Sequence, residues 1–418
     1  CRALPLILIL FGSVQINAQG KPFSFSDYMN AALKNHPLLS SAEQAKASAL
    51  YGSEAVQQGY APQIGVASHF IAAPGYDEAV TNGGEFGAQI TASYLLYDGG
   101  ARSYEIQRAG VGVDQGTLNQ DRTRADIILS VSTAFAAAAK EKRELEVVEQ
   151  DYEQLRDYLQ LVKQLHASGQ GDEADVLKTT VELNNVLIDV DARKTTCKNS
   201  LMSLAQAAGL PTADVTDVDT SLQLPSYDTT FSGTQNIDLT SQSLVLKQAE
   251  LDAQIAGAKL RPNISVGADA GALTSLPNLQ PGLANVFGAS LGLSVTVPLF
   301  TFGSLENTYH AAEANARSIA LQNDYARSSL EHDFNTTRNN VERAKSEIAA
   351  LQGNLLVAEQ NLLLSKARYA GGSGLSLEVL DAIRMVNQIK LAFEEARFQM
   401  ETGIFRLSRL NYSGAHQE

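Results

Sequence analysis

Several patterns in this sequence have the residue types that catalysis or ligand chemistry would need. Gly288-Ala289-Ser290-Leu291-Gly292 matches the string around a serine nucleophile, which works only on a sharp strand-to-helix turn that exposes the hydroxyl. Here Ser290 lies inside an alternating run from Phe287 to Val297, and no helical pattern follows at once, so that turn has no place to form. Gly110-Val111-Gly112 starts a dinucleotide fingerprint, lacks the rest of its spacing and sits in a helical stretch. The six histidines (His36, His69, His166, His310, His332 and His416) include no pair at close helical spacing, so no metal site is expected. There is no phosphate-binding loop, so energy for any transport must come from a partner. The chain is expected not to be an enzyme and to need no cofactor. What remains are carboxylates just past glycine clusters. Asp175 follows Gly169-Gln170-Gly171, and Glu378 and Asp381 follow Gly371-Gly372-Ser373-Gly374. In the first turn of a helix such acids face the positive end of the dipole.

The elements that hold these acids are written twice. Leu95-Leu96-Tyr97-Asp98-Gly99-Gly100 recurs as Pro298-Leu299-Phe300-Thr301-Phe302-Gly303, with Tyr97 matched to Phe300 (300 − 97 = 203). Lys163, His166, Gly169, Asp175, Val176 and Leu177 match Lys366, Tyr369, Gly372, Glu378, Val379 and Leu380 at the same offset. A segment that keeps its length in both copies has a length that matters.

Each copy begins with a pair of alternating segments. After a helix to about Tyr60, Pro62 opens a strand with Ile64, Val66, Ser68 and Phe70 on one face. The next strand sets Phe86, Ala88, Ile90, Ala92, Tyr94 and Leu96 against Gly87, Gln89, Thr91 and Ser93. Past Pro262, Ile264, Val266, Ala268, Ala270 and Ala272 alternate with small and polar residues, and so do Phe287, Ala289, Leu291, Leu293, Val295 and Val297. Segments of about ten residues, apolar on one face and small or polar on the other, suit a transmembrane β-barrel as well as a half-buried sheet.

The helices decide between the two. No proline occurs from Ala101 to His166 or from Ser304 to Tyr369. In the second copy Leu330, Phe334, Thr337, Val341, Ala344, Ile348, Leu351, Leu355, Ala358, Leu362, Ser365 and Tyr369 recur at alternating four- and three-residue steps. Their counterparts in the first copy keep the stripe except at Glu141 and His166. A mean period near 3.5 imposes left-handed supercoiling, and roughly 66 residues make a rod of roughly 100 Å. Each rod turns at a glycine-rich tip and returns as a partner helix, whose stripe begins at Val176 or at Val379. Four strands cannot close a barrel, since the smallest spanning barrels have about eight, and lipid does not tolerate open edges. Several protomers must therefore pool their strands, and three would give about twelve.

Composition agrees with extended helices: 418 residues, no Trp, 7% aromatics and 19% charged residues. A net charge of −14 supplies no basic stripe and argues against a nucleic-acid partner. Arg2, the run Leu4 to Phe11 and Ile16-Asn17-Ala18 read as an export signal over 1–18. With it removed, Cys197 is the only cysteine, so no intrachain disulfide forms. The remaining boundaries are a first repeat at 19–209 (strand pair 62–97, hairpin 101–209), a linker at 210–237, a second repeat at 238–410 (strand pair 262–300, hairpin 304–410) and a tail at 411–418.

In order, duplication and spacing, the chain resembles the TolC-like outer-membrane efflux channels. The resemblance rests on Leu33-Lys34-Asn35-His36-Pro37, Ala61-Pro62, Tyr97-Asp98-Gly99-Gly100, Phe300-Thr301-Phe302-Gly303, and the second tip from Arg368 to Asp381. It implies mixed α and β architecture: a trimeric transmembrane barrel with four strands per protomer, continuous with a coiled-coil helical tunnel through the periplasm. It implies an exit channel of a tripartite efflux or type I secretion system, with a periplasmic adaptor and an inner-membrane pump as partners and outer-membrane lipid around the barrel. Glu378, Asp381 and Asp175 match family acids that ring the periplasmic entrance, where carboxylates in a narrow pore attract cations. Tyr369 matches a tyrosine that ties the closed tip. Gly374 stands where some members carry an arginine, and His166 occupies the partner-tip position. The grooves beside Gly169, Gly171, Gly371, Gly372, Ser373 and Gly374 are expected to receive adaptor helix tips, because glycine permits close backbone approach. A periplasmic coiled-coil adaptor would have one hairpin, and a structural protein of adhesin type would have its strands at the C-terminus. Neither interleaves strand pairs with hairpins.

Overall fold

The computed structural model describes residues 24–77, 83–212, 215, 217–222, 224–233, 236–275 and 286–413. The expected export signal at 1–18 lies outside them. The chain opens with α1 (Phe25–Asn35), where Ser24 and Asp27 form a reciprocal capping box. Its Tyr28 and Ala32 are buried, and the Phe25 and Tyr28 rings meet Phe135 at centroid distances of 5.3 and 5.9 Å. His36 caps α2 (Pro37–Gly59) through Nδ1, which accepts from the Leu38 amide at 3.2 Å, while Pro37 fills a first-turn position that has no hydrogen bond to lose.

Four antiparallel strands follow in two pairs: β1 (Gln63–Ala72), β2 (Gly84–Asp98), β3 (Asn263–Ser275) and β4 (Phe287–Thr296). They form one sheet in the order β1-β2-β3-β4. The alternation read from the sequence is the alternation of the sheet: Ile64, Val66, Phe70, Ile90, Leu291, Leu293 and Val295 are all exposed on one face. The other face is polar. There Asp269 accepts from Gln89 Nε2 at 3.1 Å and Ser290 Oγ at 2.6 Å, and His69 lies 2.5 Å from Glu85. Within the described residues neither edge, β1 or β4, is paired. Ser290 is an ordinary strand residue, which disposes of the nucleophile-elbow match.

Two hairpins extend from this sheet: α3 (Ala101–Ala167) with α4 (Glu173–Ala207), and α6 (Ser304–Ala370) with α7 (Ser376–Leu410). Between them α5 (Ile237–Ala258) packs against α3 and α6. Both long helices have 67 residues and both return helices have 35, starting 203 apart (304 − 101 and 376 − 173). At about 1.5 Å per residue each long helix runs about 100 Å. The junction with the sheet is held by Asp98, whose carboxylate accepts from the Gly100 amide at 3.0 Å and the Arg102 amide at 2.6 Å. Gly99 has φ +71°, and a Cβ there would run into the carbonyl of Ala258.

The predicted stripe on α6 is the buried one: Phe334, Thr337, Val341, Ala344, Ala358, Leu362, Ser365 and Tyr369. On α3 the sequence shows one stripe and the fold buries two. Ile127, Val131, Ala138, Val148, Leu155 and Val162 follow the prediction, while Phe135, Ala139, Arg143, Glu144, Asp151 and Tyr158 are buried beside it. Phe135 meets Phe25 and Tyr28 of α1 and Glu144 pairs with Arg193 of α4, while Arg143, Asp151 and Tyr158 face α7, which packs on both α6 and α3. Charged residues in that seam pair up. Arg143 Nε donates to Glu394, its Nη2 lies 3.6 Å from Glu401, and Lys140 sits 2.6 Å from Glu395. Breaking such a buried pair leaves an uncompensated charge, so the pairs set the register of α7.

Candidate functional site

The two hairpin tips are built alike. At the first, the Gly169 amide donates to His166 O at 2.9 Å and the Gln170 amide to Leu165 O at 2.9 Å. At the second, Gly372 donates to Tyr369 O at 3.0 Å and Ser373 to Arg368 O at 2.9 Å. Gly169 (φ +78°) and Gly372 (φ +75°) occupy the left-handed position that ends such a helix, where glycine carries no Cβ penalty. Gly171 and Gly374 serve differently: a Cβ on either would come within about 3.0 Å of the preceding helix's backbone. Gly371 needs neither allowance, having a negative φ and a nearest contact of 3.4 Å.

The tips differ where the return helices begin. Asp172 caps α4, its carboxylate accepting from the Ala174 amide at 3.1 Å. The matching Leu375 gives α7 no side-chain cap. Instead Ser376 is buried, and its hydroxyl accepts from Tyr158 Oη at 2.9 Å. Tyr369 Oη donates to Asp175 Oδ2 at 3.3 Å and links the end of α6 to the start of α4. The two tyrosine rings meet at 5.7 Å. Burial pushes both phenols above their ordinary range, and the Asp175 carboxylate pushes Tyr369 further, so each remains a donor at physiological pH.

Two of the sequence-predicted residues, Tyr369 and Asp175, are therefore brought together across hairpins. His166 is exposed and bonds within its own turn, Nδ1 to Gly171 O at 3.2 Å. Glu378 and Asp381 lie exposed on α7, each with a guanidinium beside it that the sequence reading missed. Arg368 is 4.0 Å from Glu378. Arg384 is 3.3 Å from Asp381 and makes a two-pronged pair with Glu182 at 2.8 Å. That pair holds the Glu182 carboxyl below its ordinary range. Asp175, Glu182, Glu378 and Asp381 against Arg368 and Arg384 sum to two net negative charges among these six side chains (4 − 2), and Asp172, Glu173 and Lys178 stand at the same tips. Arg384 stands three residues from Asp381 on one helix, but only the fold brings Arg368 across the turn to Glu378 and Glu182 to Arg384. An open groove of about 790 Å³, lined by Leu165, Gln170, Asp172, Lys178, Gly372 and Leu377, runs between the tips. Among the described residues no cluster could hold a metal ion, and no helix is long and apolar enough to cross a membrane.

Solved structures of similar fold include the outer membrane protein VceC from Vibrio cholerae and CusC. VceC has a TM-score of 0.81 and 18% identity, with 93% of this chain and 96% of that one covered. CusC has a TM-score of 0.83 and 16% identity, with 96% of each chain covered. In sequence, the outer membrane protein TolC of Vibrio cholerae serotype O1 (strain ATCC 39315 / El Tor Inaba N16961) is 22% identical over 398 residues, spanning 92% of this chain and 89% of the relative. The model of the family "Outer membrane efflux protein" matches residues 28–210 and 234–410, which take in both strand pairs and both hairpins. The chain belongs to that family and is an outer-membrane exit channel for efflux or secretion.

Proposed function

We propose that the conducting unit is three copies of this chain, pooling their strands into a twelve-stranded barrel in the outer membrane and their hairpins into a twelve-helix tunnel through the periplasm. The observation that carries this reading is the open four-stranded sheet, apolar on one face and polar on the other, with both edges unpaired among the described residues. A sheet of that kind survives in lipid only as part of a closed barrel, and four strands are too few. The repeat supports the same assembly, since hairpins of equal length wrap one axis at a common depth. At the tunnel's far end, the Tyr369–Asp175 bond holds the two hairpins of a protomer together, and His166 faces the next protomer. Glu378, Asp381 and Asp175 ring the entrance and favour cations. The groove beside Gly169, Gly171 and Gly371 to Gly374 receives the helix tips of a periplasmic adaptor, and an inner-membrane pump drives substrate into the channel. Native mass spectrometry of protein extracted in mild detergent tests the assembly: three copies are expected, and a monodisperse monomer would sink the reading.

A further inference from the structure

The trimer leaves one junction unspecified, namely which residues of β4 lie against which residues of β1 in the next copy. The chain carries a template for it. β4 matches β2 at an offset of 203 (Tyr97 to Phe300), and β3 matches β1 at an offset of 200, since Pro62-Gln63-Ile64 and Val66 recur as Pro262-Asn263-Ile264 and Val266. The observed β2–β3 register is Thr91↔Asp269, Ala92↔Ala268 and Ser93↔Gly267. Resting on the trimeric reading, we propose that β4 of one protomer pairs antiparallel with β1 of the next in the copied register: Ser294↔His69, Val295↔Ser68 and Thr296↔Ala67, with β4 continued to Phe300.

Two further observations favour this register. β2 pairs with β1 only from Gly84 to Ser93, while its lower end, to Asp98, pairs with β3 alone. The corresponding lower end of β4 has no strand partner among the described residues, because β3 begins at Asn263 opposite Thr296. There Leu299 and Phe300 are left 91% and 75% exposed. The copied register gives these residues the start of the neighbouring β1 as their partner. The competing flush register, Thr296↔Gln63, leaves them uncovered. Alternation is also respected: Val295 and Leu293 share the apolar face with Ser68 and Phe70, whereas a slip of one residue would turn that face toward the lumen.

A cysteine scan in a Cys197→Ser background reads the register directly. Val295→Cys is combined in turn with Ile64→Cys, Val66→Cys, Ser68→Cys and Phe70→Cys, all on the outward face, and the trimers are mildly oxidised. Residues directly opposite have Cβ atoms about 4.5–5.5 Å apart and diagonal neighbours about 7–8 Å, while a disulfide needs about 3.5–4.5 Å. Ser68→Cys should therefore give reducible covalent dimers and trimers at roughly five times the yield of any other partner. A maximum at Ile64→Cys would overturn the copied register in favour of the flush one and leave the trimer standing. Trimers by native mass spectrometry with no crosslink at any of the four positions would overturn a β4–β1 seam altogether. Monomers in the same measurement would overturn the assembly itself.

Discussion

Glu378 and Asp381 show how a side chain's neighbours qualify what its position suggests. Sequence spacing puts both acids just inside a helix and the family pattern puts them at a pore, but it does not show that Arg368 and Arg384 sit beside them. Exposed pairs of this kind contribute little to stability, about 0–1 kcal/mol. On the proposed reading, their effect falls on the field at the entrance. Replacing Glu378 and Asp381 with Asn removes two negative charges per chain and leaves Asp172, Glu173 and Asp175 at the tips. On the proposed trimeric reading, the entrance then loses six carboxylates. The double variant should lose most of its cation preference in planar-bilayer reversal potentials, with the reversal potential moving toward zero, and its melting temperature should stay within about 2 °C of the parent. Unchanged selectivity would remove both residues from the entrance and return them to ordinary first-turn acids.

At the scale of the elements, the seam between α3 and α7 holds the clearest departure from what periodicity reveals. A stripe of Leu, Val and Ala announces one buried face. Nothing local announces that Asp151 or Arg143 will be buried, because each depends on a helix more than 200 residues downstream. Asp151 is 8% exposed and accepts from Asn387 Nδ2 at 2.8 Å, while Asn387 Oδ1 is buried with no partner among the described residues. Burial, with Glu182 and Asp189 nearby and only Lys390 opposing them, pushes its carboxyl up to about 6. A carboxyl raised in the folded state binds a proton there before it does in the unfolded chain. Stability therefore falls as pH rises from about 4 to about 6, and it is lowest above that window. Two pH units of linkage could supply at most roughly 3 kcal/mol, and partial access of water leaves about 1–2 kcal/mol. Asp151→Asn should raise the melting temperature at pH 7.5 and flatten its dependence between pH 4.5 and 6.5 relative to the parent. Equal pH slopes in thermal melts of the two proteins would show that Asp151 is solvated like a surface carboxylate.

For the molecule as a whole, the fold was legible wherever a period or an offset carried it. Strand alternation, proline-free rods and glycine-rich tips all lie in the local sequence, and the helix boundaries fall within a residue or two of those read from it. What could not be read was the side-by-side order of the helices, with α7 lying between α3 and α6, because one stripe cannot say how many neighbours a helix will have. The site was half legible for the same reason. Tyr369 and Asp175 could each be picked out from their own tip, but their meeting required the packing of two hairpins. Tyr158 gave no signal beyond its place beside a stripe, yet its hydroxyl donates to Ser376 at the second tip.

The unequal ends of the return helices imply an order of events in time. The first turn of α4 carries its own cap in Asp172, so it remains wound whatever its surroundings do. The first turn of α7, with Leu375 in that place, stays wound through Tyr158 and the packing around Ser376. Loosening the contact between hairpins should thus fray one tip and spare the other, making the second tip a local unfolding unit of low free energy. Amide hydrogen exchange can follow this. Tyr158→Phe removes a bond worth about 1 kcal/mol, so the amides of Leu377, Glu378 and Val379 should exchange roughly fivefold faster, while those of Ala174, Asp175 and Val176 keep their rates. Equal acceleration at both tips would mean that the hairpins open as one rigid body.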